Sequence, residues 1–177
     1  MASYYYLAAS LPLLKWDEPA PMSVDEFLAE SKSNMESSEY SILEKTLSGT
    51  PCSDSFAEKW VEFQTMVDKE LSEARSKKLN IRGDHYKNSG DKEFRISETV
   101  RNAVNADNPL QGEMMLLQLK WDFLDDASVN HTFDLAGIIS YCLKLRLLER
   151  KTYFNQADGN KEFERLLGNL NSIMKGK

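Results

Sequence analysis

Cysteine, histidine and glycine are all scarce in this chain of 177 residues, and each scarcity removes a class of chemistry. The two cysteines, Cys52 and Cys142, lie far apart with no partner at zinc spacing. That excludes a disulfide scaffold and a Cys/His metal site, and points to reduced thiols in the cytoplasm. The two histidines, His85 and His131, form no His-x-x-x-His pair. The eight glycines stay isolated and never form the phosphate-cradling loop of a Walker or dinucleotide motif. No Gly-x-Ser-x-Gly elbow is present, and Cys142 falls in an apolar helical pattern where a thiol stays neutral and inert. No run approaches the ~20 apolar residues that cross a bilayer, so direct membrane insertion is not expected. The apolar stretch from Tyr4 to Leu14 imitates a signal-peptide core, but no Lys or Arg precedes it and no small-x-small cleavage site follows. These absences predict a chain without cofactor, metal or catalytic residues, which acts by binding.

The residues present suit one folded domain spanning 1–177. Hydrophobic residues make up 41% and charged residues 28%, enough for a core with a solvated surface. A net charge of -6 argues against general nucleic-acid binding, because that affinity comes from neutralising phosphates. The charge is uneven: Asp17 to Glu73 holds fourteen acidic residues against four basic, and Ala74 to Arg101 eight basic against four acidic. This predicts a molecule polar from end to end. The basic stretch from Arg75 to Lys87, with Tyr86 in it, is the one nucleic-acid candidate.

Hydrophobic spacing reads as helix throughout, which predicts an all-α bundle of six to seven helices behind a short extended segment, residues 1–22. Ser23-Val24-Asp25-Glu26 is a capping box, flanked by the staple residues Met22 and Phe27. A second short helix follows over Ser37 to Leu47, with Gly49 as its stop. Ser55-Phe56-Ala57-Glu58 reads as another capping box. Behind it Phe56, Trp60, Phe63, Val67, Leu71 and Ala74 write one apolar stripe. Residues 80–91 read as an exposed loop. Phe94, Ile96, Val100, Ala103 and Val104 mark a modest helix, and Asp107 or Asn108 caps the next one with Pro109 in its first turn. That next helix, Leu110 to Leu124, is predicted to be the most buried element and to bury Trp121. Thr132 or Asn130 then caps a helix over Leu135 to Leu148. A turn at Gln156–Asn160 and a closing helix through Phe163, Leu166, Leu170 and Met174 complete the pattern.

Asp122, Asp125, Asp126 and His131 fall within ten residues, but their spacing lacks the alternation, turn glycine and distal Glu of a calcium loop. They read as a helix end and a polar loop. Nothing in the sequence nominates a buried carboxylate pair.

The start Tyr4-Tyr5-Tyr6-Leu7-Ala8-Ala9-Ser10-Leu11-Pro12 carries a resemblance. It is similar to the opening of a family of small helical proteins encoded, in certain bacteria, among the genes of the V-type (A/V-type) ATPase. Pro21-x-Ser23-x-x-Glu26-Phe27-Leu28, Trp121-x-Phe123-Leu124-Asp125 and Tyr141-x-Leu143-Lys144-Leu145 extend the likeness over essentially the whole chain. The resemblance implies an accessory or stalk component of a proton- or sodium-translocating ATPase, such as a replacement for the all-helical component that joins the central rotor stalk to the membrane ring. It further implies binding to the central stalk or membrane ring, and a cytoplasmic location peripheral to the inner membrane through that complex. Tyr4, Tyr5, Tyr6 and the outward cations Lys144, Arg146, Arg150 and Lys151 are the expected contact residues, and docking by such charges would be sensitive to salt. A small enzyme with a motif-free buried site and a nucleic-acid-binding adaptor are the alternatives.

Overall fold

The computed structural model describes residues 4–81, 87, 88, 90, 92–154 and 165. Among them are seven helices and no strand: α1 (Tyr5–Ser10), α2 (Val24–Asn34), α3 (Ser37–Ser48), α4 (Ser55–Lys78), α5 (Phe94–Asn105), α6 (Pro109–Ser128) and α7 (Leu135–Tyr153). The expected turn at Gln156–Asn160 and the closing helix from Phe163 to Met174 lie outside the described residues, as does most of the loop expected at 80–91.

Helices α4, α5, α6 and α7 form a closed bundle, each packing on the next and α7 returning to α4, while α2 and α3 cover the remaining side of α7. This arrangement explains why α7 is apolar almost all round: Ile138, Ile139, Cys142, Leu145 and Leu148 are fully buried. Trp121 is buried as its helix pattern predicted. An aromatic stack ties α4 to α6, with the Phe63 and Phe123 rings 4.0 Å apart and nearly parallel, and Trp60 packed against both. Helices α5 and α6 approach closely at Gly112, where a Cβ would stand 2.5 Å from the Ala103 carbonyl oxygen.

Several local signals form as read. Ser23 Oγ accepts from the Glu26 amide at 3.1 Å while the Glu26 carboxylate accepts from the Ser23 amide at 2.8 Å. Gly49 ends α3 in the left-handed region, at φ 72°, and the Thr50 amide reaches back to the Lys45 carbonyl. Asn108 caps α6 with Pro109 at its start.

Five expectations need correction. The most buried helix is α7 and not α6, because α2, α3, α4 and α6 all pack against it. The tyrosine start is not wholly extended: Tyr5–Ser10 is a short helix, because Leu7, Ala8 and Ala9 favour it and the Leu11-Pro12 pair then forces the chain out of helix. The cap of α4 is Asp54, whose carboxylate takes the amides of Phe56 and Ala57 at 3.0 and 2.9 Å, and not Ser55. The cap of α7 is Asp134, neither Thr132 nor Asn130. Phe94 is the exposed first residue of α5 and not part of its buried face.

Candidate functional site

The three tyrosines divide into one anchor and two exposed rings. Tyr4 donates its amide to the Phe133 carbonyl at 2.9 Å and is buried to 5% exposure, which fixes the start of α1 against the turn between α6 and α7. Tyr5 then lies against the Phe133 ring, 4.9 Å between centroids, and Tyr6 packs edge-on to Tyr5 while remaining 87% exposed. Leu13 and Val129 are exposed too. Leu13 lines a groove between the segment after α1 and the α6–α7 turn, beside Ser128, the residue before Val129. Tyr5, Tyr6 and Phe133 therefore show water a cluster of aromatic side chains beside the buried Tyr4. Clusters of this kind mark interaction surfaces, and Tyr is enriched among residues that dominate binding energy.

The chain from Leu11 onward is strapped along the α6–α7 face. The Tyr141 hydroxyl donates to the Pro12 carbonyl at 2.9 Å, the Trp16 ring lies 5.5 Å from that of Trp121, and the Lys151 amine sits 4.5 Å above the Trp16 ring and donates to its carbonyl.

This strap alters the reading of the cationic set, because all four cations have partners within the molecule. Lys144 pairs with Asp125 at 2.5 Å, lies over the Trp121 ring, and its side chain is only 15% exposed. Arg146 donates to the Leu47 carbonyl at the end of α3. Arg150 donates twice to Glu113 of α6, at 3.0 and 2.6 Å. The helical wheel placed these residues outward correctly for Arg146 and Arg150, but it could not see that α3, α6 and the strap cover that side of α7. The exposed rings of Tyr5 and Tyr6 cluster with Phe133, and the cations act as struts.

A buried carboxylate pair that sequence reasoning missed lies on α4. Glu70 accepts from the Ser97 hydroxyl at 3.0 Å and from Asn88 Nδ2, and Glu73 accepts from Lys77 at 2.6 Å, Lys92 at 3.0 Å and the Asn88 amide at 3.1 Å. The lysine hydrogen bonds hold the Glu73 carboxyl down at about 2. Both of its oxygens are engaged, so the group ties α4 to Lys92 and Asn88 and stays ionised at neutral pH. A signal was present: Glu70 follows Val67 by three residues and so falls on the apolar stripe. Phe133 was missed because a lone aromatic in a polar turn has no periodicity to mark it.

The other groups considered for chemistry are engaged structurally. Asp122 and Asp126 take Arg95, at 2.7 and 3.2 Å, and His131 Nδ1 meets Asp134 at 2.5 Å. Burial works against the Asp134 charge, but the hydrogen bonds from His131 and the Gly137 amide outweigh it and leave that carboxyl below its ordinary range. Cys142 is fully buried, and burial pushes its thiol up to about 12, so no thiolate nucleophile forms there near neutrality. Among the described residues, no group of three or more His, Cys, Asp or Glu side chains stands together as a metal site, and no helix is long and apolar enough to cross a membrane. The sequence asymmetry in charge is locally offset, since Lys77, Lys92 and Arg95 all pair with acids of α4 and α6.

Residues 48–174 match a family model described as a protein of unknown function, DUF2764. Helices α4 to α7 lie inside the match, and the tyrosine start precedes it. No curated protein and no solved structure matches the chain.

Proposed function

The chain belongs to the DUF2764 family, proteins of unknown function, and from that premise we propose that it is a non-catalytic accessory or coupling component of a V-type ATPase, working by protein–protein binding. Support comes from the motifs that resemble a family encoded among the genes of that enzyme, from the Tyr-Tyr-Tyr and Leu-Pro start to the Trp121 segment.

The observation that carries the binding role is the exposed cluster of Tyr5, Tyr6 and Phe133 beside the buried Tyr4. Two tyrosines in solvent gain little for folding, whereas covering them with a partner removes large apolar areas from water at low entropic cost. In this reading the patch meets the stalk or the membrane-proximal ring, and Lys144, Arg146, Arg150 and Lys151 keep the strap, α3 and α6 in place behind it. Contact is then mainly apolar, and it outlasts moderate salt better than docking through surface cations would.

The test is binding of purified chain to the purified ATPase complex, wild type against a Tyr5→Ser, Tyr6→Ser, Phe133→Ser variant. Interface tyrosines at a binding centre contribute about 2 kcal/mol or more each, so the variant should bind at least roughly thirtyfold more weakly. Equal binding by both proteins removes the patch as the contact. Binding by neither removes the ATPase as the partner.

A further inference from the structure

A second feature owes nothing to the tyrosine start. Between the end of α3, the start of α4, and α6 and α7 lies a cleft of about 530 Å³, within the size range of small-molecule sites. Its floor is apolar, with Trp60, Leu117, Leu143 and Leu147 buried beneath it. Three cations line it: Lys120 of α6, and Arg146 and Arg150 of α7.

Their hydrogen bonds leave capacity to spare. Arg146 gives one N–H to the Leu47 carbonyl and Arg150 gives two to Glu113, out of five on each guanidinium. Lys120 is half-buried and has no hydrogen-bond acceptor among the described residues. The one carboxylate in the lining, Glu149, is turned to another task, accepting the Val24 amide at the positive start of α2 at 2.8 Å. Asp68 and Glu113 act on Lys120 only through space.

We propose that this cleft binds a phosphate group, free or as a small phosphomonoester, held by Lys120 together with the unused guanidinium N–H groups of Arg146 and Arg150. Two arginine forks suit tetrahedral oxyanions, and the ammonium adds a point charge beside them. Burial is the main cause that lowers the Lys120 pKa, with Asp68 and Glu113 acting against it and the two arginines adding to it, so an anion between the three cations would favour the charged ammonium.

The proposal is tested by calorimetric titration of the full chain at low ionic strength with inorganic phosphate and, separately, glycerol 3-phosphate, with acetate as the control. One-to-one saturable binding is expected with one of the two phosphate probes, the tighter probe telling free phosphate from the ester. Lys120→Met and Arg150→Gln should each weaken it by at least about tenfold, the scale of one charge-assisted hydrogen bond. Lys120→Met keeps the stem and removes a desolvated charge, so it should fold at least as well as the wild type. Amide chemical shifts of Ser48, Gly49 and Gln64 in the wild type supply a readout that needs no variant. Binding no tighter than that of acetate, binding unchanged in both variants, or shifts that leave these amides unmoved would overturn the site.

Discussion

Glu73 shows how far a single side chain departs from what its sequence position suggests. On a helical wheel it is one more charge on a solvated face, yet it is buried with Lys77, Lys92 and the Asn88 amide around it. Its folded pKa of about 2 lies below the ordinary 4.5, so the carboxylate stabilises the fold above pH 4.5, and that contribution is lost as pH falls from 4.5 toward 2. Glu73→Gln should lose this stability at neutral pH and flatten the acid dependence over that window, measured by circular dichroism across a pH series. A variant as stable as the wild type at pH 7 would remove the carboxylate from the network. Gly112 is a second such position, since the Ala103 backbone leaves no room for a Cβ. Gly112→Ala should destabilise by about 1–3 kcal/mol in urea titration, through forced separation of α5 and α6.

Element by element, the sequence was most legible where capping and periodicity coincide. Ser23 with Glu26, Gly49, and Asn108 with Pro109 each mark a boundary that the structure keeps, because these devices act within a few residues of themselves. The misplaced caps of α4 and α7 failed for the same local reason: Asp54 and Asp134 stand within four residues of equally plausible Ser, Thr or Asn, and only the backbone geometry chooses between them. Asp54→Ala should therefore cost about 1 kcal/mol, whereas Ser55→Ala should stay within about 0.5 kcal/mol, a contrast that thermal melts resolve. Trp121→Ala should cost on the order of 3–5 kcal/mol, because α6 loses its contact with Trp16 and leaves a cavity. A variant melting like the wild type would contradict the packing of the strap on α6. What periodicity could not convey was which helix covers which. The outward cations of α7 looked free in a wheel because their partners, Leu47, Glu113 and Trp16, come from distant parts of the chain.

At the scale of the whole molecule, the bundle of α4 to α7 is the stable body and the tyrosine start is carried on one end of it, held by Tyr4 and the strap. Of the expected contact residues, Tyr5, Tyr6, Arg146 and Arg150 retain the exposure a partner needs, and Tyr4 and Lys144 do not. The central claim is that this end meets a V-type ATPase. The most direct measurement is recovery of tagged wild-type chain from native lysate, in conditions where the ATPase stays assembled, followed by identification of the bound proteins. Stalk or membrane-ring components should be recovered with the wild type and lost with the Tyr5→Ser, Tyr6→Ser, Phe133→Ser variant. Recovery of the wild type with no ATPase component bound would contradict the account.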